Sequence, residues 1–374
     1  MSVNKNIPMI DLPRVHSAYG KELNEAIQTV IDSGSYIGGP AVRRFEEEFT
    51  EYNGATCFGV GNGTDALQIA LMALDIGPGD EVIVPAFTYA ASAEVIGLLG
   101  ATAVWCDVLP DSFNIDPASA KLALSAKTKA VIAVHLYGQL ADLESLIEVV
   151  GNIPVIEDTA QAFGAKYLSG RYEGKYAGTV GAFGTISFFP TKPLGALGDG
   201  GAVICSDEQL YNKALSIARH GQSQKYVHDL IGVNSRLDPI QAAILSVKLT
   251  YFDNTLIKKQ ELYETYVQNL SALEQVVLPY TSPFTSHVWH QFTLKVSGDR
   301  DDLQSFLKSQ GISSMVYYPI ALSDQKAYAS MIERIPIPVS RSLCNEVLSL
   351  PIDPSMTLKD VEFVCDAIKS YYQR

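Results

Sequence analysis

Between about residues 55 and 206 the chain alternates short β-rich runs with stretches of helical period, and nothing else in the sequence restricts its fold as tightly. The runs lie at 57–60, 81–84, 101–105, 130–134, 153–158, 185–189 and 201–204. Most are apolar at consecutive rather than alternate positions, the pattern of strands buried on both faces of a parallel sheet. Strands that alternate with helices build an α/β fold with a mainly parallel central sheet. Such sheets bind ligands beyond the C-terminal ends of their strands.

Two residues stand at strand ends of this kind. Asp158 closes the run Ile153-Pro154-Val155-Ile156-Glu157-Asp158, and Lys192 follows Thr185-Ile186-Ser187-Phe188-Phe189 in the loop Pro190-Thr191-Lys192-Pro193-Leu194-Gly195. Taken singly, a loop lysine is usually a solvated charge and a strand-end aspartate often caps a helix. Together they match the needs of pyridoxal phosphate: an amine for a Schiff base, and a carboxylate that keeps the pyridine nitrogen protonated so that the ring accepts carbanion electrons. A third element offers a cradle for the phosphate. Gly61-Asn62-Gly63-Thr64-Asp65-Ala66-Leu67 runs from a strand into a strongly helical stretch. Its glycines admit an anion to the backbone, Thr64 is placed to cap, and the first-turn amides point at the ligand. No Lys-Ser/Thr follows the glycines and the third glycine of a dinucleotide fingerprint is missing, so neither a Walker A loop nor a dinucleotide site is read here. By itself the segment fits an ordinary capped helix equally well.

The 374 residues are 47% hydrophobic and 18% charged, which excludes disorder and allows two domains with a sizeable core. With 41 acidic against 28 basic residues the formal charge is −13, a field that opposes nonspecific binding to nucleic acid or anionic membrane. An anionic ligand therefore has to be held by local amides and a few placed side chains. No apolar run approaches the roughly 18 residues of a membrane-spanning helix. Met1-Ser2-Val3-Asn4-Lys5 leads into no signal-peptide core, so a cytoplasmic location is expected. Cys57, Cys106, Cys205, Cys344 and Cys365 are odd in number, scattered and mostly in apolar surroundings, the pattern of buried free thiols rather than of disulfides or a metal site.

Past the alternating region, Asp238-Pro239 opens a long helical stretch with a capping aspartate and a proline at the first position. A polar helix near 251–271 follows as a bridge. Beyond about 275 the texture changes: Trp289-His290-Gln291-Phe292-Thr293-Leu294-Lys295-Val296 reads as a strand, and 301–310 and 358–372 read as helices. The expected division is a large cofactor-binding domain over 1–250 and a smaller α+β domain over 251–374 that includes the bridging helix.

With these elements in order, the chain resembles the DegT/DnrJ/EryC1/StrS sugar aminotransferases, within the fold-type I enzymes that use pyridoxal phosphate. The resemblance runs essentially end to end. It rests on Ser33-Gly34-Ser35-Tyr36-Ile37-Gly38-Gly39-Pro40, Phe45-Glu46, the Gly61 to Leu67 segment and Pro85-Ala86-Phe87-Thr88-Tyr89. It continues through His135-Leu136-Tyr137-Gly138, Glu157-Asp158-Thr159-Ala160-Gln161-Ala162, Ser187-Phe188-Phe189-Pro190-Thr191-Lys192, Gly198-Asp199-Gly200-Gly201 and Leu348-Ser349-Leu350-Pro351. The resemblance implies that Lys192 carries the cofactor as an internal aldimine and later shuttles the proton, while Asp158 pairs with the pyridine nitrogen and Gln161 reaches the ring hydroxyl. It also implies that Tyr89 stacks on the ring and that Gly63, Thr64, Asp65 and Ser187 surround the phosphate. Asn234, in Gly232-Val233-Asn234-Ser235-Arg236-Leu237-Asp238, is expected to reach the partner subunit's phosphate, which makes the active form a homodimer with composite sites. His135 reads as a structural hydrogen bonder. Pro193 departs from the pattern: many relatives carry a polar residue there, and proline removes a donor and fixes φ.

By the same resemblance the amino group passes from L-glutamate, leaving 2-oxoglutarate, to a ketone on a nucleotide-linked hexose in amino-sugar, polysaccharide or glycoside biosynthesis. The stretch from Arg219-His220-Gly221-Gln222 to Asp238 is more like the branch acting on 3-keto sugars than the 4-keto branch. Arg219, His220 and Arg236 have the charge to meet a glutamate carboxylate or a pyrophosphate, with surface salt bridges as the plain alternative. His290 and Tyr317 are candidate entrance or sugar contacts. Two other classes compete. A pyridoxal phosphate-dependent sugar dehydratase would carry a histidine at position 192, and a noncatalytic nucleotide-sugar-binding regulator has no need of Asp158, Gln161, Ser187 and Lys192 together.

Overall fold

The computed structural model describes residues 6–374, so Met1 to Lys5 lie outside it. Seven strands form one sheet: β1 (Cys57–Val60), β2 (Glu81–Pro85), β3 (Thr102–Cys106), β4 (Thr128–Val134), β5 (Val155–Asp158), β6 (Phe183–Ser187) and β7 (Gly201–Ile204). Their order across the sheet is β1-β7-β6-β5-β4-β2-β3. Pairing is parallel from β3 through to β6, and β7 runs antiparallel to both of its neighbours. The mainly parallel α/β sheet is therefore present, with a single reversed strand.

Consecutive aliphatic residues in these strands serve two faces at once. In β2, Val82 and Val84 join a core that includes Leu67 and Ile69 of the helix Gly63–Ala73, while Ile83 joins the opposite core with Leu143 and Leu146 of the helix Leu143–Val150. Side chains alternate across a strand, so helices on both sides demand apolar residues at every position. Each such Val or Ile contributes about 1.5–3 kcal/mol on full burial.

A second, antiparallel sheet holds Val276–Val277, Phe292–Val296 and Val347–Leu350, and packs against the helices Arg300–Ser309 and Leu358–Tyr372. The helix Phe252–Leu270 belongs to both cores. Phe252 packs with Phe163 and Phe188, whereas Leu262, Tyr266 and Leu270 pack with Phe292 and Leu350. Residues 321–343 return to the first core, where Trp105 N–H donates to the Ile332 carbonyl at 2.9 Å.

The strand expected from Trp289 begins only at Phe292. Trp289 adopts φ +50, which breaks the extended backbone and leaves His290 and Gln291 in a loop. Asp238 stands at the N-cap of the helix Pro239–Thr250, with proline at the first helical position as expected, but its side chain makes no capping bond. All five cysteines are buried and unpaired. Among the described residues no helix is long and apolar enough to cross a membrane.

Candidate active site

The C-terminal ends of β1, β2, β4, β5 and β6 converge on a cavity of about 650 Å³. Asp158 ends β5 and Ser187 ends β6. Thr88 and Tyr89 follow β2, Tyr137 follows β4, and the helix Gly63–Ala73 starts beyond β1. Parallel neighbours bring their ends to one edge, which is why residues from five chain segments meet here.

Asp158 is buried, and both carboxylate oxygens are held: Ser92 Oγ–H donates to Oδ2 at 2.8 Å and the Ala160 amide to Oδ1 at 3.2 Å. Ser92 is wholly buried and was not singled out from the sequence. Its one sequence signal is a hydroxyl near the start of the mostly apolar helix Ala91–Leu98, whose other polar residue is Glu94. Lys192 is half-buried on the cavity wall. Burial pushes its amine down from 10.5 to about 8, with Asp158 pulling the other way. The Lys192 and Ala196 amides donate to the Phe189 and Phe188 carbonyls at 2.8 and 2.7 Å, and Lys248 Nζ donates to the Gly195 carbonyl. These bonds close the loop without an amide at Pro193, so the missing donor costs it none of them.

An amine attacks a carbonyl only when neutral, and a pKa lowered to about 8 leaves Lys192 half-neutral there. Borohydride trapping of pyridoxal phosphate on Lys192 of the apo protein is accordingly expected to reach half its maximal rate near pH 8. A midpoint above pH 10 would mean that burial does not tune this amine.

At the cradle, the structure corrects the cap. Asn62, in extended conformation, accepts the Asp65 amide on Oδ1 at 2.8 Å, whereas Thr64 already lies within the helix. Asn62 is the last non-helical residue and so is the one whose side chain turns back over the helix end. The Gly63 and Thr64 amides are left without acceptors among the described residues, at the positive end of an 11-residue helix. A Cβ on Gly63 would lie 2.7 Å from Ser187 Cβ, so only glycine lets this end close onto β6. Asp65 lines the cavity, with its carboxylate engaged from the other side. Its Oδ2 accepts Ser235 Oγ–H at 2.5 Å, and Ser235 in turn accepts the Gly61 amide at 2.9 Å.

Around the remaining wall, Gln161 Oε1 accepts the Tyr137 amide at 2.7 Å and its Nε2 donates to the Tyr318 hydroxyl at 3.1 Å. Tyr318 also went unread in the sequence, although its neighbour Tyr317 was named; both line the cavity. Tyr89 is 59% exposed, with its ring 6.3 Å from that of Tyr318. His290 is buried in the wall, and its Nδ1 has no partner among the described residues. His135 stands apart from the cavity lining. Its Nδ1 accepts the Ala141 amide at 2.9 Å, so Nε2 carries the proton shared with Glu157 at 2.8 Å. Glu157 also accepts the amides of Gly178, Val180 and Gly181, which makes the pair a brace between β4 and β5.

These residues fit pyridoxal phosphate. Two unpaired amides at a helix N-terminus beside the Ser187 hydroxyl suit a phosphate, and an amine of lowered pKa shares the cavity with a clamped carboxylate. Among the described residues no group of three or more His, Cys, Asp or Glu is placed to hold a metal ion.

The other sequence candidates are not in this cavity. Arg219, His220, Asn234 and Arg236 line a separate groove of about 460 Å³, together with Arg43 and Glu46. Glu46 accepts the Gly59 amide at 2.8 Å; burial pushes its carboxyl up, against the pull of that bond and of Arg219 and Arg43. Ser235 lies between Asn234 and Arg236 in the chain, so its bond to Asp65 ties the groove to the cradle.

Comparison with known proteins gives concordant matches. The model of the DegT/DnrJ/EryC1/StrS aminotransferase family matches residues 17–369. A Geobacillus stearothermophilus protein named "pleiotropic regulatory protein" is 42% identical, over 98% of this chain and 99% of that one. The UDP-2-acetamido-2-deoxy-3-oxo-D-glucuronate aminotransferase of Pseudomonas aeruginosa is 40% identical, over 97% of this chain and 99% of that one. Among solved structures, S. venezuelae DesV in complex with a ketimine intermediate superposes with a TM-score of 0.94 at 38% identity, over 99% of each chain.

Proposed function

The chain belongs to the DegT/DnrJ/EryC1/StrS aminotransferase family, and from that premise we propose that it moves an amino group from L-glutamate to the 3-keto carbon of a nucleotide-linked hexose. The observation that carries this reading is the shared cavity of Lys192, Asp158 and the free-amide cradle. The 3-keto position is supported by the Arg219 to Asp238 stretch and by the 3-oxo substrate in the name of the Pseudomonas relative.

Bound there, pyridoxal phosphate supplies a carbonyl for amine exchange and a ring that takes up electrons. The Gly63 and Thr64 amides and the Ser187 hydroxyl would hold its phosphate, and Tyr89 would cover the ring and exclude water. Asp158 would hold a proton on the pyridine nitrogen, its own orientation set by Ser92 and Ala160. Lys192 Nζ, with a pKa of about 8, takes and returns a proton near neutral pH at little cost in either direction. Gln161 braces the Tyr137 and Tyr318 side of the cavity.

The same reading makes the enzyme a homodimer with shared sites. Cationic Arg219 and Arg236, with Asn234, lie outside their own chain's cavity, which supports a role toward a neighbouring subunit's phosphate or a substrate carboxylate. Mixing Lys192→Ala with Asn234→Asp tests this. In a mixed dimer one site collects both lesions and the other neither, so about a quarter of wild-type activity is expected after full random exchange. No recovery despite verified exchange would remove the shared-site reading.

A regulator without activity is the rival raised by the name of the Geobacillus relative. Against it, a binding protein needs neither an amine of lowered pKa nor a clamped carboxylate beside it. The purified protein is expected to be yellow and to bleach on addition of L-glutamate. A colourless protein indifferent to pyridoxal phosphate would favour the regulator. A dehydratase is disfavoured by lysine, rather than histidine, at position 192.

A further inference from the structure

Trp289 holds a left-handed φ of +50, a conformation that is unfavourable for a non-glycine residue and persists only when its surroundings enforce it. They do so on every side. Its ring stacks between Tyr263 (centroids 3.8 Å apart, planes at 14°) and His287 (3.7 Å, 8°). Its amide donates to His287 Nδ1 at 3.0 Å and its indole N–H to Gln260 Oε1 at 2.8 Å. Its carbonyl accepts Lys259 Nζ at 3.0 Å, from a lysine that is itself buried. On either side, the Val288 and Gln291 amides donate to the Gly138 and Tyr137 carbonyls at 2.9 and 3.2 Å.

The residue that this turn delivers to the cavity wall is His290. Where its neighbours are bonded, its buried Nδ1 has no partner among the described residues. A strained turn locked by so many bonds, with His290 at its apex in the wall of the cavity that holds Lys192, marks a residue kept for function rather than for packing.

We propose that His290 binds the acceptor, hydrogen-bonding a hydroxyl of the hexose, and that Lys259 is the positioning residue that holds it there through the Trp289 carbonyl. This rests on the aminotransfer reading above. Burial, reinforced by the charges of Lys192, Lys259 and His287, pushes His290 well below its usual range, so the ring is neutral at neutral pH. A neutral imidazole donates at one nitrogen and accepts at the other, which matches a hydroxyl. It brings no charge to the carboxylates of L-glutamate, which call for cations. The two substrates of one cavity are thus told apart by a group that only one of them uses.

The test measures each half-reaction of the holoenzyme separately. L-glutamate bleaches the yellow colour, and a dTDP- or UDP-linked 3-keto hexose restores it. His290→Phe keeps the ring and His290→Asn keeps a polar group, so one of the two serves if the other fails to fold. Both are expected to bleach with L-glutamate at close to the wild-type rate and to lose about 100-fold in kcat/KM for the ketosugar, the scale expected when a buried hydrogen bond to a substrate is lost. Lys259→Met is expected to show the same selective loss at about 10-fold, and Lys259→Arg, which keeps a donor, to restore most of it. Equal slowing of both half-reactions by the His290 variants, or slowing of neither, overturns the proposal. A wild-type protein that fails to bleach with L-glutamate sinks the aminotransfer reading instead, and one that bleaches but is recoloured by none of these sugars sinks both.

Discussion

Replacing Lys192 with alanine is expected to lower amino transfer by about 10⁴-fold or more, because on the proposed reading one amine both carries the cofactor and moves the proton. The fold should survive. Lys192 contributes its amide to the loop closure at Phe189, which alanine retains, and Lys248 still holds the Gly195 carbonyl. The half-buried side chain adds little to either hydrophobic core. The measurements are the rate of amine transfer, the yellow colour and the thermal midpoint. A variant with wild-type turnover would show that Lys192 is not the working amine, and a variant that unfolds would show that the loop depends on this side chain.

Asp158→Asn is expected to bind the cofactor and react about 10²–10³-fold more slowly, the scale seen when one preorganised electrostatic group is removed. The surroundings accept the change. Asn Oδ1 takes the Ala160 amide, and Nδ2 donates to Ser92 Oγ, whose hydroxyl turns from donor to acceptor. What is lost is the negative charge, and with it, on the proposed reading, the hold on a proton at the pyridine nitrogen. Cofactor affinity and the rate of bleaching by L-glutamate separate these effects. If bleaching is as fast as in the wild type, Asp158 has no electronic role.

Much of this site was legible in the chain because it is built from strand ends and a helix start. Consecutive apolar residues mark a strand buried on both faces; Asp158 and Ser187 end such strands, and Lys192 lies in the loop that follows the second. Glycines running into a helix mark the cradle, although the cap fell to Asn62 rather than Thr64, since either residue type caps and only backbone conformation selects between them. The groove residues Arg219, His220, Asn234 and Arg236 were legible as polar and cationic but not by location. Their distance from Lys192 within one chain follows from how 219–236 folds over the outer side of the cradle, where Ser235 meets Asp65.

Local period and residue type by themselves determined the α/β class and pointed to the carboxylate and the amine that share one cavity, because those features depend on contacts within a few residues. Tertiary structure alone decided the rest. Ser92 reaches Asp158 across 66 positions, Tyr318 reaches Gln161 across 157, and residues 321–343 return to the first core with no local period to announce it. The strand expected through Trp289 gave way to a turn because ring stacking and the Lys259 bond outweigh the β preference of that run. Side-chain partners distant in sequence leave no periodic trace, so a pKa of about 8 at Lys192 or an unpaired Nδ1 at His290 is set only when the walls of the cavity close around them.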